Sequence, residues 1–221
     1  MSAKKGTGLL MVWVDVPADR EEDFNRWYNE EHLAERLAVP GFLSAARYQA
    51  VKNGPKHLAC YELESAAVLD TPAYKRVLAN PTPWTRRCSP EVIGTVFIRG
   101  VYTMIHPAAL TPAAAASGMA PAVQIGRMDV PAEIDQEFNA WYNTIYVPNF
   151  ETVPGVIRGR RYRAVVGSPT YLTLYEFEHP AVSESAAWLA QRDASPVTHR
   201  IRPHMRHAPG SPGVYIKTFE L

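Results

Sequence analysis

A stretch of 37 residues occurs twice in this chain, and the two copies align without a gap at an offset of 114 positions. The first copy runs from Asp15 to Val51 and the second from Asp129 to Val165, with 16 identities between them. Both contain an FNxWYN motif, a VPG turn and an Arg-Tyr pair, and the register continues into YELE and YEFE. Two copies are too few for a solenoid, so the pattern predicts a duplicated domain.

Length and composition describe an ordinary globular chain that is long enough for two small domains. The 221 residues are 47% apolar and 20% charged, and 23 basic residues nearly balance 22 acidic ones. That balance provides no general field for nucleic acid or for an anionic membrane surface. The first apolar run ends at Asp15, too early for a signal h-region or a membrane span. Cys60 and Cys88 show no metal-binding spacing, so we expect a reduced, cytoplasmic protein.

Each copy lies in a unit that reads strand, helix, strand, strand, helix, strand. In the first unit Asp19 is the expected N-cap of the first helix. The order is the split βαβ arrangement of ferredoxin-like folds, whose sheet leaves one face uncovered until a second sheet packs on it. We therefore predict an α+β protein in which two ferredoxin-like repeats, 1–106 and 122–221, form one pseudo-dimeric α/β barrel around a shared cavity. Residues 107–121 are an Ala/Pro-rich linker, semi-extended or with one helical turn.

The end of the first predicted helix carries a WYNxxH motif, from Trp27 to His32, and a Pro-Gly turn follows it. This combination resembles the EthD-like and dimeric α/β-barrel proteins, and the resemblance covers both repeats. It implies the fold and leaves the reaction open, because such proteins include lyases, isomerases, cyclases, cofactor-free oxygenases and haem enzymes. In many of them the pocket lies between the first helix and the sheet. The resemblance thus implies a site beside this helix.

His32 is the sharpest candidate for chemistry, and the second copy has Tyr146 at the matching position. His32 lies four residues after Tyr28 and eight after Phe24, which puts all three on one helical face. A neutral imidazole at the edge of an apolar cavity can take a proton near pH 7. We predict His32 as the general acid or base. The alternative is a helix-end histidine that bonds a carbonyl or Glu35.

Other side chains of the helix have two interpretations each. Tyr28 either packs in the core or orients the histidine or the substrate. Asn29 is a poor helix-interior residue, so it either bonds local backbone where the helix breaks or donates to a substrate oxygen. Aromatic residues at helical spacing favour core packing, although one of each pair can also line a pocket. The substrate-binding candidates of this kind are Phe24, Trp27, Trp141, Tyr142 and Tyr146.

Arg47 and Arg161 occupy the same position of the second strand in both copies. Such an arginine can bind a carboxylate or an enolate inside the barrel, and Tyr61 can stabilise developing negative charge. The alternative is an ion pair with a glutamate of the neighbouring strand, Glu62 or Glu176. The sequence therefore adds Arg47 and Tyr61 to the catalytic candidates, and Arg161 to the residues expected to bind substrate.

The chain shows no Gly-rich phosphate loop, nucleophile elbow or Rossmann fingerprint, and we predict neither a cofactor nor a metal. His204 and His207 have a ligand spacing without a carboxylate or a cysteine nearby. We predict a cofactor-independent lyase, isomerase or dehydratase acting on a small aromatic or apolar oxygenated metabolite. The alternatives are a non-catalytic ligand-binding barrel and a haem-dependent or cofactor-free monooxygenase. The expected partners are the small molecule and a second copy in a homodimer, not nucleic acid or membrane.

Overall fold

The structure is a computed structural model, and it describes residues 3–192 and 194–221. Up to His106 the chain forms four strands and five short helices. They are β1 (Gly8–Asp15), α1 (Glu21–Trp27), α2 (Leu33–Leu37), β2 (Phe42–Lys52), β3 (His57–Leu63), α3 (Pro72–Ala79), α4 (Pro83–Cys88), α5 (Pro90–Ile93) and β4 (Val96–His106). A π-helical turn, Tyr28–His32, joins α1 to α2, and 3-10 turns cover Ala18–Arg20 and Ala66–Asp70.

The rest of the chain repeats this order after one helix in the predicted linker, α6 (Pro112–Ala116). Its elements are β5 (Ala122–Asp129), α7 (Asp135–Trp141), α8 (Val147–Glu151), β6 (Val156–Val166), β7 (Tyr171–Phe177), α9 (Ala186–Gln191), α10 (Pro196–Ile201), β8 (Arg206–His207) and β9 (Gly213–Glu220). The π-helical turn recurs at Tyr142–Tyr146, and 3-10 turns cover Ala132–Ile134, Pro180–Glu184 and Arg202–His204. We call the parts before and after α6 the first half and the second half.

Eight antiparallel strands close into one barrel. The first half contributes β4-β1-β3-β2 and the second contributes β9-β5-β7-β6, while β8 adds only a short pairing to β5. The halves join at two seams, where β2 pairs with β9 and β4 pairs with β6. Closure removes every long sheet edge that an isolated half would expose. The predicted fold class, an α+β protein built around an α/β barrel, is confirmed.

Side chains pack the interior of the barrel. The prediction of a shared cavity between the two sheets is therefore wrong. An eight-stranded barrel leaves an interior just wide enough for side chains to fill. The largest residues in this interior cluster are buried aromatic ones from both halves: Trp13, Tyr48, Tyr102, Tyr162 and Tyr215. The helices pack on the outside, over one apolar cluster in each half. Cavities between helix and sheet therefore lie on the outer face of the barrel.

A buried ion network crosses the interior and involves both halves. Arg160 donates to Glu62 of the first half, with Nη2 to Oε1 at 2.5 Å, and to Oε1 of Glu176 at 2.7 Å. Arg158 adds a second pairing to Glu176 at 3.1 Å. The glutamates that were the alternative partners of Arg47 and Arg161 thus pair with Arg160 instead. The first half has no matching cation, because the residue at that position is Ala46.

The start of the first helix differs from the prediction. Asp19 is not an N-cap, because it lies inside the 3-10 turn before α1, whose N-cap residue is Arg20 without a side-chain cap. In the second half Pro148 lies in the first turn of α8. The π-helical turn directly before it widens the helix, and this accommodates a residue that lacks a backbone N–H. The same turn in the first half places Tyr28 and His32 towards the sheet.

Candidate functional site

A cavity of about 540 Å³ lies between the helices and the outer face of the first half's sheet. Its floor comes from alternate residues of the strands, Leu10 and Val12 of β1 and Tyr61 of β3, because successive strand residues point to opposite faces. His32 lines the wall formed by the helix. Both the helix location and the volume are typical of a small-molecule site.

The imidazole of His32 sits in an aromatic cage and is 8% exposed. Its ring centroid lies 4.3 Å from that of Trp27, 4.9 Å from Tyr28 and 6.5 Å from Tyr61. Burial, reinforced by the positive charges of Arg36 and Arg47, holds the pKa of His32 well below 6.5. The imidazole is therefore neutral at pH 7 and able to accept a proton.

A carboxylate stands beside this imidazole without bonding it. Nδ1 of His32 lies 3.9 Å from Oε2 of Glu35, and within the described residues it has no hydrogen-bond partner. Such a distance is too long for a hydrogen bond, although contacts of this kind tighten when substrate binds. The predicted alternative, in which Glu35 merely anchors a helix-end histidine, lacks the hydrogen bond that it requires.

Two tyrosine hydroxyls face the same space. Burial raises the pKa of Tyr28 to about 12, and it raises the pKa of Tyr61 well above 10. Each is therefore a protonated donor at neutral pH. The hydroxyls lie close enough to affect each other's pKa, yet the Tyr61 hydroxyl makes no hydrogen bond of acceptable geometry in the part of the chain that the structure describes. A buried unpaired donor of this kind can be satisfied by a ligand oxygen.

Arg36 is a cavity-lining residue that the sequence did not single out. It lines the cavity, is 7% exposed, and stacks its guanidinium 5.5 Å from the ring centre of Tyr74. Its Nη1 lies 3.7 Å from Oε2 of Glu35 and has no hydrogen bond within the described chain. The signal was present, because Arg36 follows His32 by four residues and so shares its helical face.

Arg47 and Asn29 are held away from the cavity. Nη1 of Arg47 donates to Oδ1 of Asn29 at 3.1 Å, and Nη2 donates to Oδ1 of Asn25 at 2.7 Å. The guanidinium also packs over the rings of Phe24 and Tyr28, at 5.3 and 4.7 Å. Neither Arg47 nor Asn29 is among the residues that line the cavity. Arg47 therefore lies outside the barrel interior, where it ties the helix to β2.

The second half has an equivalent cavity of about 390 Å³. Tyr142, Tyr146 and Tyr175 line it at the positions of Tyr28, His32 and Tyr61. The contact of a strand arginine with two helix asparagines, which we call an arginine tie, recurs in the second half. There Arg161 donates to Asn143 at 2.6 Å and to Asn139 at 2.9 Å. The ionisable groups of His32 and Arg36 do not recur at the matching positions. Residues that match His32, Arg36 and Tyr74 are aromatic: Tyr146, Phe150 and Trp188.

The structure brings together part of the predicted set. Of the predicted residues, the first cavity is lined by Tyr28, His32 and Tyr61, and the second by Tyr142 and Tyr146. Two kinds of residue lie outside both cavities. They are core aromatic residues and the groups of the arginine ties: Phe24, Trp27, Trp141, Asn29, Arg47 and Arg161. Within residues 3–192 and 194–221, no group of three His, Cys, Asp or Glu residues is placed to hold a metal ion.

No protein-family model matches the chain, and no curated protein matches it either. Solved structures do match over nearly its whole length. An anthrone oxidase-like protein has a TM-score of 0.63 at 15% identity, with 99% of this chain and 94% of that chain covered. A provisionally assigned monooxygenase from Fusobacterium nucleatum has a TM-score of 0.61 at 10% identity, with 97% and 94% covered.

A variant chlorite dismutase from Candidatus Nitrospira defluvii is also similar, with a TM-score of 0.60 at 12% identity over 99% of this chain and 93% of that one. Structural similarity at such low sequence identity shows the fold alone. The chain has the dimeric α/β-barrel fold, as the WYNxxH resemblance implied. Its helices within the described residues are all too short or too polar to cross a membrane.

Proposed function

We propose that the first half carries a cofactor-independent proton-transfer site and that the protein is a lyase, isomerase or dehydratase. The observation that supports this most is the neutral, buried His32 on the wall of an open cavity, beside the hydroxyl of Tyr61 and the guanidinium of Arg36. A base next to two donors for a developing oxyanion is the arrangement that enolisation requires. Aromatic and aliphatic walls favour a small aromatic or apolar oxygenated substrate.

The chemical step is a proton transfer. His32 takes a proton from a substrate carbon, and the electron pair of the broken C–H bond moves onto the substrate's carbonyl oxygen. Arg36 and the Tyr61 hydroxyl stabilise the resulting enolate. The imidazolium then returns the proton, to another carbon in an isomerase or to a leaving hydroxyl in a dehydratase. Atoms and charges balance without a redox partner.

Substrate binding strengthens the base. The positive charge of Arg36 is one cause of the low pKa of His32, so the free imidazole is a weak base. An oxyanion that develops against Arg36 offsets this charge and raises the pKa of His32 as the proton arrives. Basicity thus increases in the transition state, which is where it lowers the barrier.

The proposal is tested by solvent exchange, which can be measured before any product is identified. The whole chain is incubated in deuterium oxide with a panel of enolisable aromatic ketones and hydroxy acids, and mass spectrometry follows deuterium uptake. We expect uptake on at least one compound, with a large loss in His32→Gln. Equal uptake in wild type and variant would remove His32 from the mechanism, and no uptake on any compound would favour a ligand-binding barrel.

A second candidate function is oxygenation, which the neighbouring oxidase-like and monooxygenase proteins suggest. The same enolate can pass electrons to dioxygen instead of being reprotonated. Oxygen consumption during turnover separates the two, because the proposed function consumes none. An absorption spectrum of the purified protein checks the cofactor-independent part, since a Soret band would overturn it.

A further inference from the structure

The second cavity has no role in the proposed reaction, yet two buried hydroxyls on its floor make no well-formed hydrogen bond within the described residues. Thr173 and Tyr175 lie two apart on β7, so their side chains share the outer face of the sheet and form part of the cavity floor. Thr173 is 1% exposed and Tyr175 is 3% exposed. Within the described residues neither hydroxyl makes a hydrogen bond of acceptable geometry. Two buried unpaired hydroxyls on one floor are costly unless something binds them.

Both hydroxyls are suited to donate. Burial raises the pKa of Tyr175 well above 10, so it keeps its proton at any physiological pH. Tyr142 lies beside both hydroxyls and is itself protonated, because burial raises its pKa too. The natural partner is an acceptor with two lone pairs, and a carbonyl oxygen has them. In the first half, the residue that matches Thr173 is Ala59, so the pair of donors is specific to the second half.

The walls of this cavity are aromatic. Phe150 lies 4.2 Å from Trp188 and 4.7 Å from Tyr146 between ring centres, and Trp188 stands edge-on to Tyr175 at 5.0 Å. Rings at these distances offer both faces and edges to a flat aromatic ligand. The guanidinium and the imidazole of the first cavity are absent from these positions, which Phe150 and Tyr146 occupy.

We propose that the second cavity is a separate binding site for an aromatic ketone, which it holds by its carbonyl oxygen on Thr173 and Tyr175 and by its ring against Phe150 and Trp188. The site binds without turnover, because Tyr146 replaces the base. It does not depend on the proposed function, since binding here requires no chemistry in the first half.

Equilibrium dialysis of the whole chain tests this, with 2-acetylnaphthalene as the probe. The matched hydrocarbon 2-isopropylnaphthalene has nearly the same shape and no carbonyl. We expect the ketone to bind more tightly than the hydrocarbon by about five- to tenfold, the effect of one or two net hydrogen bonds. Tyr175→Phe removes one hydroxyl, and Thr173→Val replaces the other by a methyl group of similar size. Both variants should lose the preference for the ketone at the second site and keep their binding of the hydrocarbon unchanged.

Tyr61→Phe is the control in the first cavity, where it removes the matching hydroxyl. This variant should not affect ketone binding at the second site, which Tyr175→Phe weakens. If the ketone and the hydrocarbon bind equally, or if Tyr61→Phe and not Tyr175→Phe reduces ketone binding, the proposal is overturned. Tighter binding of 2-naphthoate than of the ketone would also overturn it, because the cavity would then recognise a carboxylate through Arg192 or Arg202. Circular dichroism verifies that each variant is folded.

Discussion

The two cavities of this barrel share their frame and differ in their chemistry. In each half an arginine on the second strand is tied to two asparagines of the helix, and a tyrosine from the helix meets a tyrosine from the sheet. The first cavity adds a histidine and an arginine, where the second has Tyr146 and Phe150. What recurs is the support, and what differs lies at the cavity surface.

This difference separates residues that hold the site from residues that would act in it. A tie that occurs in both halves is required by the fold whatever the ligand. A titratable group that occurs in one cavity alone has no such structural requirement, because the other half folds the same way without it. His32 and Arg36 belong to this second kind, so they are the residues to test for activity.

The largest effect should come from His32. Replacing it by Ala removes the proton acceptor, and we expect turnover to fall by about 10²- to 10⁴-fold on a substrate identified by solvent exchange. Tyr146→Phe in the second half should change turnover less than about threefold, because no base is lost. Steady-state rates of both variants are compared with thermal melts. Equal losses at both positions would show that the two cavities act alike.

The next effect concerns stability and Arg160, the buried arginine that pairs with a glutamate of each half. Arg160→Ala leaves the buried Glu62 and Glu176 without their shared partner, and we expect a loss of about 3–5 kcal/mol in the free energy of unfolding. Urea denaturation measures it. Arg158→Ala is the control, since Arg158 is more exposed and forms an ion pair with one glutamate, Glu176, so its loss should be well under half as large. Similar losses would mean that Arg160 does not join the halves as described.

A smaller effect should be the same in both halves. Asn29→Ala and Asn143→Ala each deprive a buried guanidinium of one acceptor, which costs about 1–3 kcal/mol. Because the ties of Arg47 and Arg161 match, the two losses should agree within experimental error in urea melts. The Asn29 variant should also keep its activity if that residue has no contact with substrate. A large loss of turnover in a stable Asn29→Ala protein would restore it to the catalytic set.

The last effect is the part of the pH dependence that His57 of the first half contributes. Burial and the charge of Arg47 lower the pKa of His57 to about 4, whereas its counterpart in the second half is Tyr171. As pH falls from 6.5 to 4, the unfolded chain takes up a proton that the folded chain does not, so stability decreases over this window. His57→Tyr should make the fall in melting temperature shallower there. A slope that is unchanged, or steeper, would contradict the lowered pKa.

Much of the fold could be predicted from the sequence, because each repeated element appears in two aligned copies that can be compared. The predicted order of strand, helix, strand, strand, helix and strand is found in both halves. The sequence did not predict which face of the sheet turns into the barrel. Both faces of β3 are buried, so alternation alone does not decide whether Glu62 or Tyr61 points into the barrel.

The candidate site was predictable in part, for a related reason. His32, Tyr28 and Tyr61 were found because motif and periodicity point to them. Arg47 stood out in the sequence because it recurs in both copies, and in the structure it binds two asparagines of the helix. The partners of Arg47 are asparagines one helical turn apart, and that contact depends on how the helix packs across the strand. No local pattern reports such packing.

The state of His32 in the folded protein tests the proposed site most directly, and its measurement needs no substrate. The ¹⁵N and ¹³C signals of the histidine ring are followed by NMR from pH 8 to pH 4.5, with His32→Gln used to assign the resonance. We predict that the imidazole stays neutral well below pH 6.5, because burial and the neighbouring arginines oppose protonation. A ring that titrates at pH 6.5 or above would contradict this, since His32 would then be solvated or paired rather than held as a neutral base beside the cavity.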